Sequence, residues 1–354
     1  MRVLMVGVAP ERVGGMWSVA EAYINSKQYN QAVSLDYLAV STNGGIFKRL
    51  CFTAKGIGKA FFLMVFRPYD IIHVHMAERG SVFRKGLIIG IARICKRKIV
   101  IHMHAGPFMS FYGKQRPIVK NIIRKILLCS DKVLVLGEYW KKELKLLIPE
   151  DRIEVVYNGV NIPESNRYCR QARNIVFMSV FKREKGILDL LEAIKLIDNI
   201  LAPDIIVQLC GYDEKGEIQE RIKQLNLTKR IQYVGWVTEM AKEQIYRGAM
   251  LSVLPSYFEG LSISILEAMA NGIPVITTNI STMPEVIGNN MYLVEPGDIR
   301  TLSEKILELC IYEDRRIKLS QSEYKRARGN FSMEQNIEKV LEIYENLLNM
   351  QKTY

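Results

Sequence analysis

Two glutamates, Glu259 and Glu267, stand eight positions apart in the segment EGLSISILEAMANGIPVITT. The residues between them are mostly small and apolar, and a carboxylate among apolar neighbours is costly to bury without partners. The vicinal hydroxyls of a ribose would be suitable partners for Glu267. The alternative is an ordinary amphipathic helix on which Glu267 faces solvent, with Glu259 as a loop charge. The pair in this setting favours a ligand site.

The pattern around the two glutamates predicts a strand, a loop and a helix. The strand LSVLPS comes first, the chain turns at Gly260, and Ser262 or Ser264 can cap the helix. Gly272 is well placed to end that helix before the next strand, IPVITT. Free backbone N–H groups and the positive end of the helix dipole would then lie at the carboxyl edge of a sheet. This arrangement suits a diphosphate group.

The four histidines of the chain occur in two pairs, each near the end of a predicted strand. His102 and His104, in KIVIHMH, share one face of their strand, as do the two histidines of DIIHVHM. A His-x-His pair could bind a metal, but the sequence offers no evident third ligand. Buried, hydrogen-bonded histidines are the commonest alternative for all four.

Strands and helices alternate along the whole chain. The predicted strands are RVLMVGV, DIIHVHM, KIVIHMH, KVLVLG, RIEVVYNG, NIVFMSVF, DIIVQLCG, RIQYVGWV, LSVLPS, IPVITT and MYLV. Helical spacing of apolar residues lies between them, for example in GMWSVAEAYINS, GIGKAFFLMVFR and GILDLLEAIKLI. The alternation predicts an α/β protein with two Rossmann-like parallel-sheet domains. Their ligands are expected at the carboxyl ends of the strands, in a cleft that the two domains face.

The length of 354 residues also predicts two domains, since it exceeds what one hydrophobic core usually supports. We predict an N-terminal domain over residues 1–168 and a C-terminal domain over residues 169–330. A helix over residues 331–354 is expected to pack back toward the N-terminal domain. No apolar run reaches the roughly 18 to 20 residues that span a bilayer. Six scattered cysteines without a C-x-x-C pair favour a reduced, cytoplasmic protein.

The net charge of +12 is concentrated in the N-terminal half. Residues 1–170 hold 27 Lys and Arg against 12 Asp and Glu, whereas the remainder holds 22 against 25. Such a half is attracted to an anionic partner: a membrane surface, a nucleic acid or a phosphorylated substrate. Two basic amphipathic helices, VFRKGLIIGIARICKRK and PIVKNIIRKILLCSDK, favour an anionic membrane. A core helix with a solvated basic face is the alternative for either one.

Several motifs together resemble the retaining glycosyltransferases of family four, which have the GT-B fold. EGLSISILEAMANGIPVI resembles the E-x7-E signature of that family. The segments VGG, HMHAG, VVYNGV, KREKGILDLLEAI, YVGWV and VLPSYFEG follow in the family's order and spacing, so the resemblance covers most of the chain. It implies an enzyme whose nucleotide-diphosphate sugar binds mainly to the C-terminal domain (169–330). The N-terminal domain (1–168) would then be the acceptor-binding domain.

The resemblance assigns catalytic roles to three residues. Glu259 would contact the donor sugar. His104 would bond the transferred sugar, and His102 is the alternative candidate for that role. Lys185 would bind the donor diphosphate. The family also carries an arginine five residues before that lysine, where this chain has Val180. Either Lys182 or Arg183 supplies the missing charge, or the diphosphate is bound by Lys185 and the helix end alone.

The remaining donor contacts also follow from the resemblance. Glu267 would bond the ribose hydroxyls, and the loop that usually reads Gly-Gly-x-x-Glu carries Ser281 and Thr282 before Glu285, which puts the contacts around Glu285 in doubt. The backbone of YVGWV would face the nucleobase, with Trp236 as donor-side or core residue. The full predicted donor set is Gly14, Gly15, Arg183, Lys185, Gly235, Val237, Glu259, Gly260, Leu261, Ser262 and Glu267.

The predicted reaction moves a hexose or N-acetylhexosamine with retention, from a UDP-sugar or else GDP-mannose. The acceptor is expected to be a glycan or lipid-linked sugar in surface polysaccharide biosynthesis, such as capsule, at the inner face of the membrane. No cofactor and no metal are expected, because the chain has no Asp-x-Asp to hold a divalent ion. The alternatives are an epimerase or phosphorylase of the same architecture, or a basic nucleic-acid-binding protein. Against the last, no basic motif with interleaved aromatics occurs, so no nucleic acid is expected as a partner.

Overall fold

The computed structural model describes residues 1–12, 14–104, 106–213, 216–288 and 290–349. The chain divides into two units. The first comprises Met1–Gly159 with the residues from Met333 onward, and the second is Val160–Ser332. The division precedes the predicted boundary at 168/169, because residues 160–168 bond within the second unit, as in the bond from Tyr324 Oη to the carbonyl of Pro163 at 2.7 Å.

The first unit is a six-stranded parallel sheet in the order β2-β1-β3-β4-β5-β6. Its elements are β1 Arg2–Gly7, α1 Gly15–Asn25, α2 Lys27–Ala32, β2 Ser34–Ala39, α3 Ile46–Phe66, β3 Ile71–Met76, α4 Gly80–Ile94, β4 Lys98–Met103, α5 Phe108–Gly113, α6 Pro117–Leu128, β5 Lys132–Val135, α7 Glu138–Leu144, a 3-10 turn Glu150–Arg152 and β6 Ile153–Val155. Strands β3 and β4 are buried almost throughout, as expected for a sheet covered on both faces.

The last described helix, α15 (Met333–Asn349), belongs to the first unit. Tyr23 Oη donates a hydrogen bond to Asn336, whose side-chain amide donates to the carbonyl of Tyr157 at 2.5 Å. Tyr344 on the same helix bonds to Tyr29 and to His73. The helix therefore packs on the face of the first sheet that carries the histidines.

The second unit is also a six-stranded parallel sheet, in the order β12-β11-β10-β7-β8-β9. Its elements are β7 Asn174–Met178, a 3-10 turn Arg183–Lys185, α8 Ile187–Ile197, β8 Ile206–Cys210, α9 Glu217–Gln224, β9 Ile231–Gly235, α10 Glu239–Arg247, β10 Ala249–Leu254, α11 Ile263–Ala270, β11 Val275–Thr278, α12 Met283–Ile287, a 3-10 turn Asn290–Tyr292, β12 Leu293–Val294, α13 Ile299–Ile311 and α14 Glu313–Asn330. The predicted pair of Rossmann-like parallel sheets is confirmed.

Strand β2 and helix α3 of the first unit differ from the sequence prediction. Strand β2 (Ser34–Ala39) was not predicted, because it is an edge strand with only one fully buried residue and lacks a clear apolar run. Helix α3 begins at Ile46, ten residues before the predicted GIGKAFFLMVFR, because its first turns are apolar on the side that faces solvent. Apolar periodicity therefore marks only the part of α3 that packs on the sheet.

Candidate functional site

Glu259 and Lys185 form an ion pair in the second unit. Lys185 Nζ lies 2.8 Å from Glu259 Oε1, and the hydroxyl of Ser256 donates to the same oxygen at 2.8 Å. The Glu259 side chain is only 7% exposed, whereas that of Lys185 is 22% exposed. A nearly buried carboxylate thus has two donors, which offset the cost of removing it from water.

Gly186 explains how Lys185 reaches that position. Its φ of 69° lies in the left-handed region, and a Cβ there would stand 1.9 Å from the carbonyl oxygen of Pro255. The backbone N–H of Tyr257 donates to the carbonyl of Glu184 at 2.8 Å. The turn that follows β7 and the loop that follows β10 are therefore in direct contact, and only glycine fits between them.

Residues Ser281 and Thr282 hold the same loop from the other side. Ser281 Oγ donates to the carbonyl of Glu259, and Thr282 Oγ1 donates to the carbonyl of Gly260, each at 2.8 Å. Ser281 has a φ of 41°, a conformation that favours glycine. Ser281 thus has the backbone conformation expected of the first glycine in a Gly-Gly-x-x-Glu loop. Its hydroxyl also makes a hydrogen bond that a glycine could not make.

Glu267 lies on α11 and has different partners. Its two carboxylate oxygens accept from Lys242 Nζ at 2.8 Å and from Tyr246 Oη at 3.0 Å. Burial alone would lower the pKa of Lys242, but Glu267 and Glu239 outweigh it and raise that pKa. Burial and the nearby Glu267 also raise the pKa of Tyr246 well above its usual range. Glu267 is therefore fixed in orientation and remains 20% exposed.

Lys242 and Tyr246 were not predicted from the sequence, nor was Ser256. Lys242 and Tyr246 stand four positions apart on α10, so they share one helix face. That spacing is the one signal that could have paired them with an acidic partner. Nothing in the sequence names Glu267 as that partner, because α10 and α11 are separated by β10 and the loop after it.

The N-terminus of α11 follows Glu259 directly. Leu261 and Ser262 are buried, and Ser262 is the N-cap residue. Ser262 therefore holds the predicted N-cap position, but its hydroxyl bonds to Ser264 Oγ at 3.1 Å and makes no capping bond. Gly272, with a φ of 72°, follows the helix end as predicted. An anion at this helix start would not have to displace a side-chain cap.

Other predicted donor residues lie at or after the ends of strands β7 and β9 of the same sheet. Lys182 and Arg183 are exposed, and Val180 is half-buried beyond the end of β7. Gly235 ends β9 with a φ of 82°, and its carbonyl accepts from the N–H of Gly211 at 2.8 Å. Val237 is half-buried. Trp236 is 54% exposed, so it is not a core residue.

The four histidines form one cluster in the first unit. His73, on β3, and His102, on β4, meet at 3.3 Å between Nε2 and Nδ1, and His73 Nδ1 also bonds to Tyr344. His75 Nδ1 meets His104 Nε2 at 2.7 Å. The rings of His102 and His104 lie 4.3 Å apart between centroids. Only His104, just beyond the end of β4, is partly exposed, so it and not the buried His102 can reach a ligand.

Burial keeps these imidazoles neutral. Desolvation lowers the pKa of His102 to about 3. It also lowers the pKa values of His73, His75 and His104 well below their usual range, with repulsion from neighbouring histidines as a further cause. Lys85 is buried nearby with its pKa lowered to about 7, first by burial and then by Arg84 and Arg12. A neutral His104 can donate or accept a hydrogen bond to a sugar hydroxyl.

The cluster also supplies the third imidazole that the sequence alone did not reveal. Nitrogen atoms of His73, His75 and His102 lie within 4.8 Å of one another, a spacing that could hold a metal ion. However, both nitrogens of His73 already have hydrogen-bond partners. Among the described residues, His75 Nε2 and His102 Nε2 have no partner. The geometry favours a hydrogen-bonded cluster over a metal centre.

Gly14 and Gly15 lie at the start of α1 in the first unit. Gly14 is the N-cap residue, and a Cβ on it would meet nothing within 4 Å, so the backbone there is open. Val13, the first residue of the predicted VGG motif, lies outside the described residues. Near the end of β4, a small pocket with a cavity volume of about 20 Å³ is lined by Met103, Phe108, Met109, Val135, Leu136, Trp140, Glu143 and Leu144.

Two family models match this chain. The model described as Glycosyltransferase Family 4 matches residues 28–164, and the model described as Glycosyl transferases group 1 matches residues 162–326. Together they cover most of both units. The second match contains the Lys185–Glu259 pair and Glu267, and the first contains the histidine cluster.

Two relatives and one solved structure illustrate the similarity. The chain is 24% identical to the UDP-Gal:alpha-D-GlcNAc-diphosphoundecaprenol alpha-1,3-galactosyltransferase of Escherichia coli, over 87% of this chain and 85% of that protein. It is 24% identical to an uncharacterized 41.2 kDa protein in the cps region of Klebsiella pneumoniae, over 70% of this chain and 71% of that one. Anabaena Alr3699/HepE, solved in complex with UDP, superposes with a TM-score of 0.76 at 18% identity, over 98% of this chain and 100% of that chain.

Proposed function

This chain belongs to glycosyltransferase family four and has the GT-B fold, and from that membership we propose that it transfers a sugar from a nucleotide-diphosphate donor with retention of configuration. The observation that carries the proposal is the Lys185–Glu259 pair at the start of α11. A cation, a nearly buried carboxylate and an uncapped helix start converge on one loop. Such a loop can hold a diphosphate and the sugar attached to it.

The donor is assigned to the second unit. Lys185 and the N–H groups at the start of α11, from Leu261 and Ser262 onward, bind the diphosphate, with Arg183 as a further cation in the same turn as Lys185. Glu259 binds hydroxyls of the sugar, and Glu267, oriented by Lys242 and Tyr246, binds the ribose. A UDP-sugar is the favoured donor, with GDP-mannose next. The name of the galactosyltransferase relative gives UDP-Gal as its donor, which supports the preference for uridine.

The chemical step needs stabilisation of the departing nucleoside diphosphate. The bond between the anomeric carbon and the phosphate oxygen breaks as Lys185 and the helix start neutralise the growing negative charge. The acceptor hydroxyl attacks from the same face and passes its proton to the leaving phosphate oxygen. His104, neutral and partly exposed, bonds the transferred sugar. No resident metal is required, since positioned cations and helix dipoles supply the charge.

The acceptor is proposed to be a lipid-linked sugar of surface polysaccharide biosynthesis, used at the inner face of the membrane. The same relative acts on a diphosphoundecaprenol-linked sugar, and the Klebsiella relative is encoded in a cps region. The basic first unit is the part of the molecule that an anionic membrane would attract.

A donor screen tests the proposal. UDP-sugars and GDP-mannose are incubated with the enzyme and a lipid-linked or short glycan acceptor, and release of UDP or GDP is measured. The best donor should lose most of its turnover with Glu259→Ala and with Glu267→Ala. If both variants kept full turnover, the proposed site would be wrong. The anomeric configuration of the product, read by NMR, tests retention separately.

A further inference from the structure

Helix α3 presents an uncovered apolar stripe to solvent. Its inner face, which includes Gly56, Ala60, Leu63 and Met64, is buried against the first sheet. On the outer side, Phe47, Leu50, Phe61, Phe62, Val65 and Phe66 are exposed, with Phe47 at 81% and Phe66 at 67%. Soluble monomeric proteins rarely expose so continuous an apolar surface without a partner for it.

The outer residues form one stripe because of their spacing. Phe47, Leu50, Phe61 and Val65 recur with Ala54 and Gly58 at steps of three or four, so they line one side of the helix. The rings of Phe62 and Phe66 lie beside that stripe, 4.6 Å apart between centroids. Lys48, Lys55 and Lys59 recur at steps of seven and four, and therefore run along one flank of the stripe.

The neighbouring helices extend this surface. Right-handed crossovers between parallel strands place α3, α4 and α6 on the same face of the first sheet, and α3 packs on α4, which packs on α6. Helix α4 exposes Leu87 and Ile94, and α6 exposes Ile118 and Ile122. These residues continue the apolar surface beyond α3.

The charge of the three helices has a single sign. They carry ten Lys and Arg, four in α3 and three each in α4 and α6, and no Asp or Glu. All of the ten except the buried Lys85 are at least partly exposed. A protein partner with an apolar face would not require this bias. Exposed phenylalanines flanked by basic side chains match the chemistry of a bilayer, whose acyl region is apolar and whose headgroups are anionic.

We propose that α3 is a membrane-docking helix that lies in the plane of an anionic lipid surface and inserts Phe47, Phe61, Phe62 and Phe66. Among the described residues, no helix is long and apolar enough to cross a membrane, so α3 is assigned to the interface. The docking surface comprises α3 with the outer faces of α4 and α6. The inference of membrane docking rests on the proposed function in one respect: the purpose of docking is to bring the enzyme to a lipid-linked acceptor.

Vesicle flotation tests the docking surface directly. The intact protein is mixed with vesicles of phosphatidylcholine plus phosphatidylglycerol, and with vesicles of phosphatidylcholine alone. Binding is expected to the anionic vesicles at low salt and to weaken as salt rises. The triple variant Phe61→Gln, Phe62→Gln, Phe66→Gln should bind at least about tenfold more weakly, since exposed aromatic anchors supply the apolar part of the affinity.

A matched control removes exposed apolar residues elsewhere. Leu196 and Ile200, in and after α8 of the second unit, are 60% and 62% exposed. The double variant Leu196→Gln, Ile200→Gln should bind vesicles like the wild type. The assignment of α3 would be overturned if the triple variant bound vesicles as tightly as the wild type. It would also be overturned if the triple and double variants lost the same amount of binding.

Cys51 offers a built-in probe of insertion. It is the exposed cysteine of the chain, the other five being half-buried or buried, and it lies on the outer side of α3. A polarity-sensitive dye on Cys51 should shift to the blue when anionic vesicles are added. The absence of a shift would refute the proposal. Self-association of the unlabelled protein that the triple variant abolishes would also refute it, and would assign this surface to a second copy of the chain.

Nucleotide binding separates this inference from the proposed function. UDP and GDP binding, followed by thermal shift without lipid, should be the same in the triple variant and the wild type, because every residue assigned to the nucleotide lies in the second unit except Gly14 and Gly15. Loss of vesicle binding with intact nucleotide binding and transfer to a water-soluble acceptor is the expected pattern. Nucleotide binding without any vesicle binding in the wild type would refute docking and leave the transferase assignment standing.

Discussion

Glu259 gains its properties from the side chains that surround it. The carboxylate is nearly buried, yet Lys185 and Ser256 both donate to one of its oxygens, so the second oxygen is the one available to a ligand. Lys185 retains partial exposure and can shift toward a phosphate while still close to the carboxylate. The ion pair thus sets the orientation of both groups before the donor binds.

Removal of either partner should abolish most of the turnover. Glu259→Gln and Lys185→Ala are each expected to lower kcat by about 100- to 1,000-fold, because charge stabilisation in the transition state is lost. UDP affinity should fall in Lys185→Ala and stay nearly unchanged in Glu259→Gln, whose contact is with the sugar. Steady-state kinetics and UDP calorimetry measure both. Glu184→Gln, an exposed neighbour in the same turn, is the control and should keep wild-type kinetics.

Glu267 is expected to act mainly in binding. Glu267→Gln removes the charge that pairs with Lys242, so the donor KM should rise about tenfold with a smaller change in kcat. Glu243→Gln on α10 is the matched control, since that exposed carboxylate pairs with Arg247 away from Glu267. A fall in kcat alone, with KM unchanged, would contradict the assignment to the ribose.

The enzyme should work without a divalent metal. The charge of the leaving group is assigned to Lys185 and the start of α11, so dialysis against EDTA is expected to leave turnover unchanged. Metal analysis of the purified protein also tests the histidine cluster. A stoichiometric metal, or activity lost with EDTA and restored by Mg²⁺ or Mn²⁺, would refute this prediction.

At the scale of elements, the site depends on contact between two turns. The turn after β7 carries Lys185, and the loop after β10 carries Glu259, and Gly186 permits them to touch. Ser281 and Thr282, after β11, bond to the same loop. The carboxyl ends of β7, β10 and β11, neighbours in the sheet, therefore build one site from distant sequence segments.

Gly186→Ala should separate the two turns. The new Cβ would clash with the carbonyl of Pro255 and strain a φ of 69°, so we expect a loss of about 2–4 kcal/mol in the free energy of unfolding. Turnover should fall with it, because Lys185 moves. Chemical denaturation and kinetics measure the two effects. Gly90→Ala in α4, where a Cβ meets nothing within 4 Å, should instead be neutral or stabilise by up to about 1 kcal/mol.

At the scale of the whole molecule, the first unit should be sensitive to acid. His73, His75 and His102 are buried and resist protonation in the folded state, whereas an unfolded histidine binds a proton near pH 6.5. The unfolded state therefore binds more protons below pH 6.5, and stability falls as pH falls, down to about pH 3 for His102.

The slope of that loss can be measured. Each such histidine costs about 1.4 kcal/mol per pH unit within its window. Hydrogen exchange of β3 and β4, compared at pH 7.5 and pH 5.5 after correction for the intrinsic rate, should show weaker protection at the lower pH. Protection that stayed constant between these values would mean that the histidines are not held neutral by the fold.

The sequence predicted the fold class correctly. Alternating apolar strands and amphipathic helices predicted two parallel sheets, because strands buried on both faces need continuous apolar runs. The errors lie where burial does not govern the pattern. The edge strand β2 was missed, and so was the first part of α3, because its apolar residues face solvent. Ser262 holds the predicted N-cap position of α11, but its hydroxyl bonds to Ser264 and makes no capping bond.

The sequence by itself determined which residues carry charge and how the local elements form, because these properties depend on residue type and on spacing of a few positions. It determined the E-x7-E pair, the Lys-Gly turn and the basic first half. Only the tertiary structure decided the partners: Lys185 with Glu259, Lys242 with Glu267, and four histidines from two strands in one cluster. It also decided that the outer side of α3 stays uncovered. These contacts join residues far apart in the chain, and such proximity depends on strand order and crossover, which no local pattern encodes.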